Sequence, residues 1–156
     1  MNYYVYTDGA CSNNGRSNAK SGYGIYFGKN DPRNVSQAII GKQTNNIAEL
    51  TAIIETYAII EPDLVAGKTV CIMSDSIYAI RCAGEYGEKC FKKKWGVGKK
   101  KPIPNVLLVK KAFELYKDSL SSGRVVFEHV LAHTGKRDVH SIGNDWADKL
   151  ATGAIG

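Results

Sequence analysis

Four acidic residues stand in four separate segments of the chain. They are Asp8 in Tyr6-Thr7-Asp8-Gly9, Glu49 in Asn45-Asn46-Ile47-Ala48-Glu49-Leu50, Asp75 in Met73-Ser74-Asp75-Ser76, and Asp148 in Asn144-Asp145-Trp146-Ala147-Asp148. Carboxylates gathered at one point repel one another unless cations fill the space between them. A set of hard oxygen donors without Cys or His suits Mg²⁺ or Mn²⁺. In a chain that is otherwise basic, such a cluster points to cutting a phosphodiester with metal assistance. Taken singly, each residue has a plainer explanation. Asp8-Gly9 can be a turn, Glu49 can favour the positive end of a helix, Asp75 with Ser76 can be a cap, and Asp148 beside Lys149 can be solvated. By spacing alone Asp145, on a nearby helix face, competes with Asp148 for the fourth place.

Composition sets the setting for that chemistry. The chain has 156 residues, enough for one domain with a full core, and it is 44% hydrophobic and 23% charged, as soluble proteins are. The formal net charge of +6 makes an anionic partner plausible. The charge is also concentrated: Lys89 to Lys111 holds nine lysines and no acid. Cys11, Cys71, Cys82 and Cys90 form no C-x-x-C pair, so neither a zinc site nor a redox motif is indicated. Reduced cysteines and no signal peptide predict a protein of the cytoplasm. The apolar runs fall far short of the ~20 residues of a membrane span, so no membrane partner is expected.

The elements that must position the carboxylates follow from periodicity. Asn2 to Thr7 reads as a strand closed by Asp8-Gly9, followed by a polar loop from Ser12 to Asn18. Gly22 to Phe27 and about Val35 to Gly41 are the next strands, and short connections make the three an antiparallel meander. Thr44 caps a helix with apolar positions Ile47, Leu50, Ile54, Tyr57 and Ala58, which Glu61-Pro62 ends. Lys68 to Met73 is a buried strand, and Ser76 to Ala83 a helix broken at Gly84 and Gly87. Glu88 to Pro104 reads as a protruding loop or short helical insert. Asn105 to Ser119 is an amphipathic helix, Arg124 to Leu131 a strand and His133 to Gly143 a polar loop. The last helix carries Trp146, Ala147, Leu150 and Ala151. The order β-β-β-α-β-α-α-β-α predicts an α/β fold, a mixed sheet with helices on both faces. Asp8 and Asp75 are both expected at the C-terminal ends of strands, where sites form in open α/β sheets.

Five strings now carry a resemblance: Tyr6-Thr7-Asp8-Gly9-Ala10-Cys11, Thr44 to Leu50, Ser74-Asp75-Ser76, His133-Thr134-Gly135 and Asn144 to Ala151. In order and spacing the chain resembles ribonuclease H of type 1 over essentially its whole length. The resemblance implies a single ribonuclease H catalytic domain over residues 1–156 with a five-stranded mixed sheet. It implies an endonuclease that hydrolyses the RNA strand of an RNA–DNA hybrid by a two-metal mechanism, leaving 5′-phosphates, with a role in removing primers and hybrids during replication. Asp8, Glu49, Asp75 and Asp148 take the places of the metal-binding carboxylates, for two Mg²⁺ or Mn²⁺ ions, and the family pattern selects Asp148 over Asp145. Asp8 is expected to bridge, and Glu49 to lie near the attacking side and the 2′-hydroxyl.

His133 resembles the family histidine that assists proton transfer or product release; His129 reads as structural and His140 carries no assignment. Asn14, Asn45 and Asn46 resemble residues that touch the minor groove and sugars, where amides suit a 2′-hydroxyl. Thr44 and Ser74 are candidates for holding a phosphate of the DNA strand. Lys92, Lys93, Lys94 and Trp95, with Lys99 to Lys101, resemble the family's basic protrusion, with an aromatic among the cations of a phosphate-tracking surface. The partner implied is a hybrid duplex and the protein a monomer. With the first strand expected from Asn2, the separate hybrid-binding module of some relatives is not expected before it. The competing readings are a resolvase or transposase core, against which the fourth carboxylate and the His133 loop argue, and a hybrid-binding domain without catalysis. Retained clustered charge argues against the latter.

Overall fold

The computed structural model describes residues 1–156. Five strands form one sheet: β1 (Tyr3–Ser12), β2 (Lys20–Tyr26), β3 (Val35–Ala38), β4 (Val70–Ser74) and β5 (Val125–His129). Their spatial order is β3-β2-β1-β4-β5. The β1-β2 and β2-β3 pairs are antiparallel, and β1-β4 and β4-β5 are parallel. The expected mixed sheet is therefore present, with β1 at its centre. The helices are α1 (Asn45–Val65), α2 (Ile77–Ala83), α3 (Glu85–Lys92), α4 (Val106–Ser121) and α5 (Val139–Gly153), with a 3₁₀ turn at Lys94–Gly96.

Alternation along the central strands decides which helix covers which face. Val5 of β1 and Val70 and Ile72 of β4 join the larger core, with Leu50, Ile53 and Ile60 of α1 and Val109, Ala112 and Tyr116 of α4. Their neighbours Tyr6, Cys71 and Met73 point the other way and meet Ala147 of α5. Tyr116 is fully buried, and its hydroxyl donates to the Ile53 carbonyl at 2.5 Å, latching α4 to α1. No helix is long and apolar enough to cross a membrane.

Several boundaries differ from expectation: Gly87, expected to break a helix, lies inside α3, the third strand ends at Ala38 rather than Gly41, and three further differences have a clear cause. β1 does not stop at Thr7: it runs to Ser12, because residues 6 to 12 pair antiparallel with β2, Asp8 opposite Gly24. The parallel pairing with β4 does end at Thr7-Ser74. Asp8 and Asp75 each lie one residue past that last pair, where β1 and β4 part. The end of the parallel ladder, rather than the end of β1, is what makes the crevice. Pro62 does not end α1, which continues to Val65. A proline costs a helix one bond to the residue four before it. That residue is the exposed Ala58, whose carbonyl water can reach, and Pro62 itself lies about one turn from the helix end. Finally, Val139 to Gly143 belong to α5 rather than to the polar loop, because Asp138 caps that helix by accepting from the Ser141 N–H at 3.0 Å.

Candidate active site

Two close approaches between helix and sheet bring the carboxylates together. Gly9 lies under the first turns of α1, where a β-carbon would come within 2.6 Å of the Ala48 carbonyl carbon. Only glycine lets α1 lie this low on β1. The Gly9 N–H then donates to Glu49 Oε1 at 2.5 Å and fixes that side chain over the sheet edge. On the opposite face Gly24 of β2 lies under α5, where a β-carbon would meet Ala151 N and Leu150 Cβ at 2.7 Å each. That contact carries α5, and with it Asp148, to Asp8.

The result is a cluster in which Asp8, Glu49 and Asp75 each place a carboxylate oxygen within 4.8 Å of the others. Asp8 and Glu49 are buried and Asp75 half-buried. No lysine, arginine or histidine forms an ion pair with any of them. Burial, then the charges of Glu49 and Asp75, then contact with Asp148 and Asp75, push the Asp8 carboxyl up to about 11. Glu49 is held well above the usual carboxylate range by burial and by Asp75, against which the Gly9 N–H works. Buried like charges without a protein cation must carry protons or bind metal. The donors are all hard oxygens, and the set fits divalent cations such as Mg²⁺ or Mn²⁺. Asp148 lies outside the group of three but is among the groups that raise the Asp8 carboxyl.

The other expected residues fall into three groups. Thr44 caps α1, its Oγ1 accepting from the Ile47 N–H at 3.1 Å, and Asn45 and Asn46 lie exposed in the first turn. Asn14, from the β1-β2 loop, joins them: its Oδ1 accepts from the Asn45 N–H at 3.1 Å. The acceptor of Asn14 is thereby engaged, and its NH₂ is the group left to face a ligand. His133 is exposed in the loop between β5 and α5, at φ 52°, and makes no hydrogen bond to the carboxylates. The loop leaves from the same sheet edge as Asp75, for His129 pairs with Ser74 and its Nε2 lies 3.2 Å from the Asp75 carbonyl oxygen.

Two expectations need correction. Ser74 cannot present its hydroxyl to a phosphate, because it is 1% exposed at the end of β4 and accepts from the Ser76 N–H at 3.0 Å. Trp95 offers only part of its ring among the lysines. It is half-buried, its centroid 6.2 Å from Phe91 and 6.0 Å from Phe113, with Lys110 Nζ 6.0 Å away. Lys92, Lys93 and Lys94 are exposed around it. Sequence reasoning missed Gly9 as a site residue. Its signal was the Asp-Gly pair, read there as a turn.

Comparison with known proteins places this arrangement. The RNase H family model matches residues 1–155. The chain is 36% identical over 148 residues to a ribonuclease H of Schizosaccharomyces pombe, covering 94% of this chain and 50% of that one. It is 30% identical over 152 residues to a ribonuclease H of Clostridium botulinum, covering 97% and 93%. The chain spans about half the length of several curated relatives it matches, the S. pombe protein among them. Among solved structures, the fold is similar to that of a foamy viral protease-reverse transcriptase in complex with RNA/DNA hybrid. The TM-score is 0.74 at 23% identity, over 99% of this chain and 20% of that one.

Proposed function

The chain belongs to the RNase H family, and on that premise we propose that it cuts the RNA strand of RNA–DNA hybrids at the carboxylate cluster, with two divalent cations, Mg²⁺ or Mn²⁺. The observation that carries this reading is the set of three converging carboxylates with no protein cation among them. Asp8, Glu49 and Asp75, with Asp148 beside Asp8, would hold the cations. When bound, a metal pair supplies a nucleophilic water and stabilises the leaving oxygen of an in-line displacement.

The chain's own residues do the rest. Asp8 is central, acted on by all three other carboxylates, and would be the one shared by both cations. The Gly9 N–H orients Glu49. His133, on the loop that starts beside Asp75, moves a proton to or from the departing group. The free NH₂ of Asn14 and the amides of Asn45 and Asn46 meet the sugar edge of the minor groove, where an acceptor on the ribose separates RNA from DNA. Thr44, whose hydroxyl proton remains free, holds a phosphate of the DNA strand. Lys92, Lys93 and Lys94 follow phosphates further along the duplex. Residues 1–156 act as one catalytic domain, as a monomer, in the cytoplasm, on hybrids and primers left by replication.

The test compares a hybrid, duplex RNA and duplex DNA in Mg²⁺ and in chelator. Metal-dependent cleavage of the hybrid's RNA strand alone, with 5′-phosphate ends, is the expected outcome. Equal cutting of duplex DNA, or full activity in chelator, would remove the assignment.

A further inference from the structure

The start of α1 carries Thr44, Asn45 and Asn46, yet the chain leading to it is barely held by its own backbone. From Ile40 to Thr44 no N–H donates to another backbone group. One side chain makes up the difference. The Gln43 carboxamide forms four hydrogen bonds: Oε1 accepts from the Ser21 N–H at 2.7 Å and the Ser21 hydroxyl at 2.8 Å, and Nε2 donates to the Ile39 and Gly41 carbonyls at 2.8 and 2.9 Å. Both lone pairs and both protons of the amide are used. Ser21 is itself 2% exposed on β2, so the anchor is rigid. At Gly41 the chain turns through φ 96°, and the amide closes that turn against the sheet.

We propose that Gln43 is the positioning residue for the substrate-binding end of α1. It sets Thr44, Asn45 and Asn46 at a fixed place beside Asn14, before any duplex arrives. It does not set the chemistry. Glu49 has a separate support, the Gly9 N–H and the close approach of Ala48 to Gly9. Grip on the duplex and geometry of the carboxylates therefore rest on different contacts, one at Gln43 just before α1 and one at Glu49 within it. The inference rests on the hybrid-nuclease reading, because the groups it positions are those assigned to the duplex.

The experiment is steady-state cleavage of a hybrid by the full chain, with hybrid affinity measured separately in chelator. Gln43→Met keeps the length of the side chain and removes all four bonds. Loss of preorganisation should raise KM and the chelator Kd by about tenfold, with kcat within about twofold of the parent. Ser21→Ala removes only the hydroxyl contact and should give the same split at smaller size, so the inference stays testable if Gln43→Met melts below the assay temperature. A fall in kcat at unchanged KM, or unchanged KM and Kd in Ser21→Ala and in any Gln43→Met that remains folded, overturns it. A parent protein that neither binds nor cuts the hybrid overturns the functional reading as well. A parent that does both, with variants indistinguishable from it, overturns this inference alone.

Discussion

Replacing Asp8 by Asn should make the metal-free protein more stable while abolishing turnover. Buried against Glu49 and Asp75, the Asp8 carboxyl holds its proton up to about 11 in the folded state, whereas in the unfolded chain it ionises near about 3.9. Between those values the folded protein binds more protons than the unfolded chain, so stability falls as pH rises from the ordinary carboxylate range toward the folded value. Each pH unit in that window costs about 1.4 kcal/mol for one proton, which at pH 7 amounts to ~4 kcal/mol. Glu49 shares the same enclosure and relaxes once Asp8 is neutral, so a gain of about 2–4 kcal/mol is expected for Asp8→Asn in chelator. For a chain of this length that is a rise of roughly 5–15 °C in Tm. The assay is thermal unfolding in chelator from pH 5 to pH 9, repeated in Mg²⁺. The gap should widen with pH in chelator and narrow in Mg²⁺, because metal stabilises only a folded state that can bind it. An Asp8→Asn variant that melts at or below the parent throughout that range would refute the electrostatic reasoning.

Gly9→Ala should act through α1: with 2.6 Å to the Ala48 carbonyl carbon the helix must lift, costing about 1–3 kcal/mol. Moving Glu49 by ~1 Å should lower kcat on the order of 10²-fold, and near-parental kcat would show that the close approach is not needed. Neutralising Lys92, Lys93 and Lys94 to Gln should raise KM for the hybrid with kcat nearly unchanged and flatten the salt dependence of affinity by about 0.9 log units per lost phosphate contact. Trp95→Ala should instead cost ~2 kcal/mol of stability through lost packing, and a salt slope altered as much as in the triple variant would return Trp95 to the binding surface.

Much of this architecture is written in the periodicity of the chain. The strand meander, the Thr44 cap and the apolar stripe of α1 are local patterns, and each appears near its expected place. What could not be seen locally depended on a partner distant in sequence. β1 continues through Asp8-Gly9 because β2 supplies a ladder, overriding the turn preference of that pair. Ser74 is buried because β1 and β5 close over β4, which its flanking polar residues do not announce. Trp95 reads as an aromatic among lysines, and only Phe113, on the next helix, shows that part of its ring is used in packing. The carboxylates themselves were legible as types. Their convergence depends on two glycines whose meaning lies in the helices above them.

The aromatic cluster of Phe91, Trp95 and Phe113 lies at the rim of the main core, where Trp95 packs against it while Phe91 stays exposed. Its link to the sheet is modest: three successive residues, Lys94, Trp95 and Gly96, have positive φ, and 97–104 form no helix or strand. A segment with few backbone hydrogen bonds of its own is expected to open at a fraction of the global unfolding free energy. A protease nicking the chain at Lys99 to Lys101 would thus leave the sheet and its carboxylates standing.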